Sequence, residues 1–321
     1  MSATVVVEPV EFPSSDGATA IHGCLWSRPP ADGADAVSPK PRALIQIVHG
    51  MQEHIGRYDE FARFLVGQGF AVCAEDHVGH GKSAASPDDL GHMGPEAKEQ
   101  LVEDVQTLRR IALDRVGRDV PYVVFGHSMG SFITRAFLAR HGEGVRAAVV
   151  CGTGNMPVAV SRLGNLAARA IARVKGQTYR SPLLESLVTG GFGRAIPDAR
   201  TPLDWLSTDP AVVEAFRNDP LAGAPFSAGA YAALTDLTAE TASLGSARRI
   251  PSDLPVLFIA GSEDPVGERG KAVRAAASLF ERAGVKDVTC IIYDGMRHEI
   301  LNEPGRQRVY ADVVSWIEKR L

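Results

Sequence analysis

The sequence predicts an α/β fold, a mostly parallel sheet covered by helices on both faces. Three observations carry this prediction. Short apolar runs alternate with helical stretches from Ala43 to Cys151. The alternation stops after Gly152 and resumes at Val256. The turn Gly126-His127-Ser128-Met129-Gly130 joins a predicted strand to a predicted helix. Parallel neighbours need long crossovers, and helices in those crossovers cover the two faces of the sheet.

Residues 4–12 and 18–26 predict an opening hairpin that turns at Asp16-Gly17. Residues 29–41, rich in Pro, Ala and Asp, read as a loop. Leu44 to Val48 reads as a strand, 57–67 as a helix, and Phe70 to Ala74 as the next strand. In 97–116, Leu101, Val105, Leu108, Ala112 and Val116 recur every three or four residues, which gives one apolar helix face. Tyr122 to Phe125 predicts a strand, Met129 to about Arg140 a helix, and 145–151 a strand. Prolines at 157, 182, 197, 202, 210, 220 and 225 then interrupt any regular pattern. Alternation returns with a strand at Val256 to Ala260, a helix near 268–283, a strand at 288–293 and a helix at 306–320. The strands number eight. The expected organisation is a core in two parts, 1–154 and 246–321, interrupted by a helical cap at 155–245. Open α/β sheets bind ligands beyond the carboxyl ends of their strands, so this insertion is placed to act as a lid.

Composition narrows the class. The chain has 321 residues, 45% hydrophobic and 22% charged, which fits a globular protein. Its 34 basic and 38 acidic residues give a net charge of -4 without any Lys/Arg tract, so nucleic acid is not an expected partner. No apolar run nears the roughly 18 residues of a membrane span. Met1-Ser2-Ala3-Thr4-Val5 lacks the basic and apolar segments of a secretory signal, and a cytoplasmic location is expected. Cys24, Cys73, Cys151 and Cys290 form no C-x-x-C pair, and three of them lie in predicted strands. Free thiols in a reducing compartment are the expectation.

The chemistry starts at Ser128. A serine between glycines two residues away on either side, after a strand and before a helix, fits a nucleophile elbow. The sharp turn projects the hydroxyl above the sheet, and the helix N-terminus offers unpaired N–H groups to negative charge. Ser131 is the poorer nucleophile because it lies inside the first helical turn. The serine needs a base, and His298 follows a predicted strand in Asp294-Gly295-Met296-Arg297-His298. An acid should orient that base. Asp264, just beyond the 256–260 strand, is the leading candidate, with Glu263 and Asp294 as competitors. The oxyanion of an acyl-transfer intermediate requires two positioned donors. Met129 N–H follows the nucleophile. Met51 N–H is the second choice, from His49-Gly50-Met51-Gln52-Glu53-His54 after the 44–48 strand. Asn155 and Met156 follow a strand near the active edge and are candidate substrate contacts, with loop stabilisation and core packing as the alternative.

With these motifs the chain resembles serine α/β-hydrolases, and more closely monoacylglycerol lipases and bacterial lysophospholipase-like enzymes. The resemblance runs from about Ala43 to Leu321 and is weaker in the insertion. It rests on His49-Gly50-Met51-x-Glu53-His54, Arg57-Tyr58, Asp76-His77-Val78-Gly79-His80-Gly81-Lys82-Ser83, the elbow, Gly261-Ser262-x-Asp264 and the region around His298. It implies an α/β-hydrolase fold with a mostly parallel eight-stranded sheet and a helical cap. It also implies the order Ser128, Asp264, His298 for nucleophile, acid and base. The implied reaction is hydrolysis of a monoacylglycerol to a fatty acid and glycerol, without a cofactor. The alternative is a carboxylesterase or lysophospholipase that cleaves other small or single-chain esters. An apolar lid would also permit transient contact with a membrane surface, and monomer and homodimer both stay open. One departure is Ser131, where the family usually carries a glycine after the elbow.

Two rival readings fail on spacing. Gly79-His80-Gly81-Lys82-Ser83 would need glycine at 76 to be a phosphate loop, and that residue is Asp76. It reads instead as a turn in which Asp76 and His80 organise nearby loops. His49, His54, His77, His80 and His92 show no ligand spacing, and His298-Glu299-Ile300-Leu301-Asn302 ends in Asn where a zinc helix needs His. His49 is expected to support the oxyanion loop, and His77 and His80 to be structural. A non-catalytic binding protein on this scaffold would be favoured by loss of Ser128, Asp264 or His298, and all three are present.

Overall fold

The computed structural model describes residues 4–29, 40–94 and 97–321. Most of the predicted 29–41 loop, residues 30–39, lies outside them. The strands are β1 Val6–Pro13, β2 Ala20–Ser27, β3 Leu44–Val48, β4 Ala71–Glu75, β5 Tyr122–His127, β6 Val145–Cys151, β7 Val256–Gly261 and β8 Val288–Tyr293. They form one sheet in the order β1-β2-β4-β3-β5-β6-β7-β8. The predicted hairpin is the antiparallel edge, and β2 runs antiparallel to β4. Every pairing from β4 to β8 is parallel. All positions of β3, β4, β5 and β7 are buried, which explains their largely apolar runs, in which Gln46, Glu75 and His127 are the polar exceptions.

The helices are α1 Asp59–Gly67, α2 Ala97–Val116, α3 Met129–His141, α4 Val158–Lys175, α5 Pro182–Val188, α6 Pro210–Asn218, α7 Ala228–Thr241, α8 Leu244–Ala247, α9 Lys271–Ala283 and α10 Arg306–Glu318. One face of the sheet packs on α1 and α10, where the Phe61 ring lies 4.8 Å from Tyr310 and 5.3 Å from Phe125. The other packs on α2, α3 and α9, with Phe258 edge-on to Phe280 at 5.1 Å.

Prolines start two helices of the 155–245 segment. Pro182 and Pro210 take the first helical position, behind the capping side chains of Ser181 and Asp209. The 155–245 segment is not uniformly superficial. Helix α7 is buried along most of its length and packs against α2 and α3 as well as α4. It ties α4 to α2 and α3, because its small residues allow close approach on several sides. No described helix is long and apolar enough to cross a membrane.

Candidate active site

Ser128 sits between β5 and α3 with φ 54° and ψ -120°, a strained conformation for a residue with a Cβ. The flanking glycines are sterically required. A Cβ on Gly126 would lie 2.2 Å from Thr134 Oγ1, and one on Gly130 would lie 2.0 Å from the Val48 carbonyl oxygen. Both contacts press α3 against the ends of the central strands, which lifts Ser128 above the sheet. Ser131 is buried, and its hydroxyl donates to the Ser128 carbonyl, so it serves the turn.

His298 and Asp264 meet as the chain order predicts. His298 Nδ1 lies 3.0 Å from Asp264 Oδ1, which also accepts the Val266 N–H at 2.9 Å. Both side chains are buried. His298 Nε2 and Asp264 Oδ2 have no hydrogen-bond partner among the described residues. Glu263 and Asp294 take no part in this pair; Asp294 instead meets Ser262 Oγ.

The predicted oxyanion loop adjoins the elbow. A Cβ on Gly50 would lie 3.0 Å from the Ser128 Cβ. Neither Met51 N–H nor Met129 N–H donates to a protein acceptor among the described residues. His49 fixes the loop, with Nδ1 2.7 Å from the Gly50 carbonyl and Nε2 accepting the His77 N–H at 3.0 Å. Burial, with the charges of His77 and His80, holds the His49 imidazole well below its usual pKa, so the ring stays neutral and its Nε2 can accept. Asp76 accepts from Ile55 N–H and Lys82 N–H at 2.8 and 2.9 Å, the structural role expected of that turn.

A buried network behind Gly50 escaped sequence reasoning. Glu53 Oε1 accepts the Gly50 N–H and the Tyr58 hydroxyl, each at 2.6 Å. Arg57 joins Glu53 at 2.9 Å to Glu299, the residue after the candidate base, at 2.6 and 2.7 Å. His127 Nδ1 lies 2.9 Å from the Tyr58 oxygen, and Nε2 lies 3.3 Å from the His298 carbonyl. Burial opposes charge on both Glu53 and His127. The His127 bond and the charges of Arg57 and His127 nevertheless hold the Glu53 carboxyl well below its usual range. The Glu53 bond and charge push His127 above its usual value. The network therefore ties the oxyanion loop to the base loop through one carboxylate. Glu53, Arg57 and Tyr58 stood in the motifs, but their spacing did not reveal the link to His127.

Residues 204–208 close over the loop that carries His298. Trp205 lies 4.9 Å from the His298 ring. The His298 and Glu299 N–H groups donate to the Trp205 and Leu206 carbonyls at 3.3 and 2.7 Å. Arg297 Nη1 donates to the Asp204 and Ser207 carbonyls at 2.6 and 2.9 Å. Glu303 gathers Arg297 N–H at 2.8 Å and Thr208 N–H at 3.0 Å. A cavity of about 890 Å³ lies within the 182–223 stretch, lined by Thr189, Ile196, Leu203, Trp205 and Phe216 among others, with Gln52 reaching it from the loop after β3. Gln52 follows Met51, and Trp205 packs on His298, but Met51, Ser128, Met129 and His298 do not line the cavity, nor do Asn155 and Met156. Asn155 Oδ1 accepts from Arg135 at 3.2 Å, and Met156 is half exposed.

Known proteins share this architecture. A family model described as Serine aminopeptidase, S33 matches residues 39–305. A monoacylglycerol lipase of Mycolicibacterium smegmatis is 31% identical over 284 residues, 88% of this chain and 90% of that protein. The human monoglyceride lipase is 27% identical over 292 residues, 87% of this chain and 84% of that protein. The crystal structure of a thermostable carboxyl esterase from Bacillus coagulans, in complex with glycerol, superposes with a TM-score of 0.89 at 32% identity over 99% of both chains. Fold, family match and relatives agree that this chain is an α/β-hydrolase and belongs to the family described as Serine aminopeptidase, S33.

Proposed function

We propose that this hydrolase is a monoacylglycerol lipase that works through an acyl-serine intermediate. The observation that carries the chemistry is the 3.0 Å Asp264–His298 pair beside the strained Ser128 elbow. The names of the relatives support the substrate class.

In this reading, Ser128 Oγ attacks the ester carbonyl carbon as His298 Nε2 takes its proton. Asp264 holds the imidazole by Nδ1–H and stabilises its charged form. Met51 N–H and Met129 N–H receive the oxyanion, since both are free to donate. Collapse passes the His298 proton to the leaving glycerol oxygen. Water, deprotonated by His298, then attacks the acyl-serine and releases the fatty acid. These steps balance without a metal or organic cofactor. Residues 155–245 act as the cap, and the acyl chain occupies the cavity beside Trp205 and Phe216. Asn155 and Met156 are the candidate substrate contacts, the Asn155 side chain being held by Arg135. A cytoplasmic location belongs to the same proposal, supported by four free cysteines.

The test is kcat/KM across monoacylglycerols, simple esters of matched acyl length, lysophospholipids and triglycerides, with Ser128→Ala as control. Monoacylglycerols are expected to exceed the matched simple esters by about tenfold, a difference of about 1.4 kcal/mol in transition-state binding. Equal values would replace the lipase reading with the carboxylesterase one, which the Bacillus coagulans structure favours. Full turnover by Ser128→Ala would remove the nucleophile.

A further inference from the structure

A carboxylic acid lies buried at the end of β4. Glu75 is the last residue of that strand and is fully buried. Among the described residues no lysine or arginine pairs with it. Its Oε2 accepts from Gln46 Nε2 at 3.1 Å. Its Oε1 has no hydrogen-bond partner among the described residues, and neither has Nδ1 of the buried His77. These two atoms face each other at 3.7 Å. That separation is too long for a hydrogen bond, and a shift of about 0.7 Å closes it.

The neighbouring bonds show which atoms carry protons. Gln46 spends its Nε2 hydrogens on Glu75 and on the Val105 carbonyl, each at 3.1 Å, and its Oε1 accepts the Tyr122 hydroxyl at 2.8 Å. Glu75 Oε2 is therefore an acceptor. His77 Nε2 faces the His49 carbonyl at 3.2 Å, so that nitrogen carries a hydrogen. In a neutral imidazole the other nitrogen is then a bare acceptor. An ionised Glu75 would set two lone pairs against each other where no water reaches. One proton between them satisfies both, held by the acid or by an imidazolium. Burial favours the neutral pair. It pushes the Glu75 carboxyl well above its usual range, against the Gln46 bond and with the charges of Asp104 and Asp76. It holds the His77 imidazole down at about 3, with the charge of His80 acting the same way.

We propose that Glu75 is a positioning residue, a neutral acid whose Oε1–H donates to His77 Nδ1 and so holds the oxyanion loop in place. His77 is the link. Its backbone N–H donates to His49 Nε2 at 3.0 Å, its ring donates to the His49 carbonyl, and the two rings stack at 4.0 Å. The His49 carbonyl lies against Gly130, where a Cβ would be 2.5 Å away. His49 thus stands between the backbone of Met51 and that of Met129. A His77 ring free to turn gives up its bond to that carbonyl. The catalytic consequence rests on the proposed function, whereas the place of the proton does not.

The test has two arms. The first compares infrared spectra of the full chain and of Glu75→Gln at neutral pH. The glutamine amide accepts from Gln46 and donates to Nδ1 as the acid does. The wild type is expected to show a protonated-carboxyl stretch that Glu75→Gln lacks. An ionised carboxylate at position 75 overturns the proposal. The second arm measures kcat and KM on a short activated ester, per serine labelled by a fluorophosphonate. Glu75→Gln should keep wild-type kcat. Glu75→Leu has no donor for Nδ1 and should lower kcat about tenfold with KM little changed, because displaced donors bind the oxyanion less well. Affinity for an alkylboronic acid, whose serine adduct is tetrahedral and anionic, should fall in step. Glu75→Asp is one methylene short of Nδ1 and should lose kcat likewise, which gives the same comparison if the leucine chain does not fold. A Glu75→Gln chain that misfolds or turns over slowly overturns the proposal, because a His77 imidazolium would then need the carboxylate. Wild-type kcat in Glu75→Leu or Glu75→Asp also overturns it. A wild type that hydrolyses no ester would overturn the proposed function, and the infrared arm would still decide the place of the proton.

Discussion

Gly130→Ala tests how the elbow is built. Gly130 is in the first turn of α3. A Cβ there would lie 2.0 Å from the Val48 oxygen and 2.5 Å from the His49 oxygen. Both obstacles are backbone, so no rotamer change relieves them. Ordinary contact requires α3 and the end of β3 to separate by roughly 1 Å. That separation pulls Met129 N–H away from Met51 N–H, the two proposed oxyanion donors. A misplacement of about 1 Å costs on the order of 100-fold in rate. Overpacking of this kind costs about 1–3 kcal/mol of stability. The assay is kcat on a short activated ester beside urea unfolding. Gly245→Ala is the control, because its Cβ would meet nothing within 4 Å. A Gly130→Ala protein that folds with wild-type kcat would refute this account of the oxyanion site.

Other perturbations test separate parts of the structure. Ser128→Gly and Ser128→Ala should both lose turnover. Only glycine relieves the positive φ at 54°, so Ser128→Gly should be the more stable by about 1 kcal/mol, and equal unfolding midpoints would count against strain. Burial raises the Asp104 carboxyl from 3.8 to about 6, against hydrogen bonds from Ser14 and Ser15. The folded chain then binds the proton more tightly than the unfolded one, so stability falls as pH rises from about 4 to about 6. The loss is about 3 kcal/mol. Asp104→Asn should flatten that slope in unfolding titrations, and an unchanged slope would reassign it. Glu303→Gln turns one acceptor of the clamp between 204–208 and 297–303 into a donor. It should cost about 1–3 kcal/mol and lower kcat by loosening Trp205 over His298. Wild-type stability and rate together would show that the clamp is dispensable.

Much of the site was legible because its signals are local. The elbow is five consecutive residues between a strand and a helix. Asp264 and His298 each follow the end of a strand, so strand periodicity placed both at one edge. The sequence puts Asp264 ahead of Glu263 and Asp294 by its place just beyond the 256–260 strand, and of these three it is Asp264 whose carboxylate lies 3.0 Å from His298 Nδ1. The 155–245 segment was legible only as an interruption. Its prolines marked helix starts, but the burial of α7 against α2, α3 and α4 depends on small residues meeting partners remote in sequence. Asn155 shows the same limit: the sequence placed it near the site, and a buried arginine on another element holds its side chain.

By itself, the sequence determined the alternation of strands and helices, the interruption after Gly152 and the positions of Ser128, Asp264 and His298 just beyond strand ends. Each follows from apolar periodicity or from turn chemistry over a few residues. Tertiary structure decided how the loops are held. His127 meets Glu53 across 74 positions of chain, and Arg57 meets Glu299 across 242. Such pairings leave no periodic trace, because they depend on where the sheet delivers its loops. The same placement set Trp205 on His298, gave the cavity its walls, and left Leu163, Leu166, Leu183 and Leu187 facing outward while Leu184 is buried.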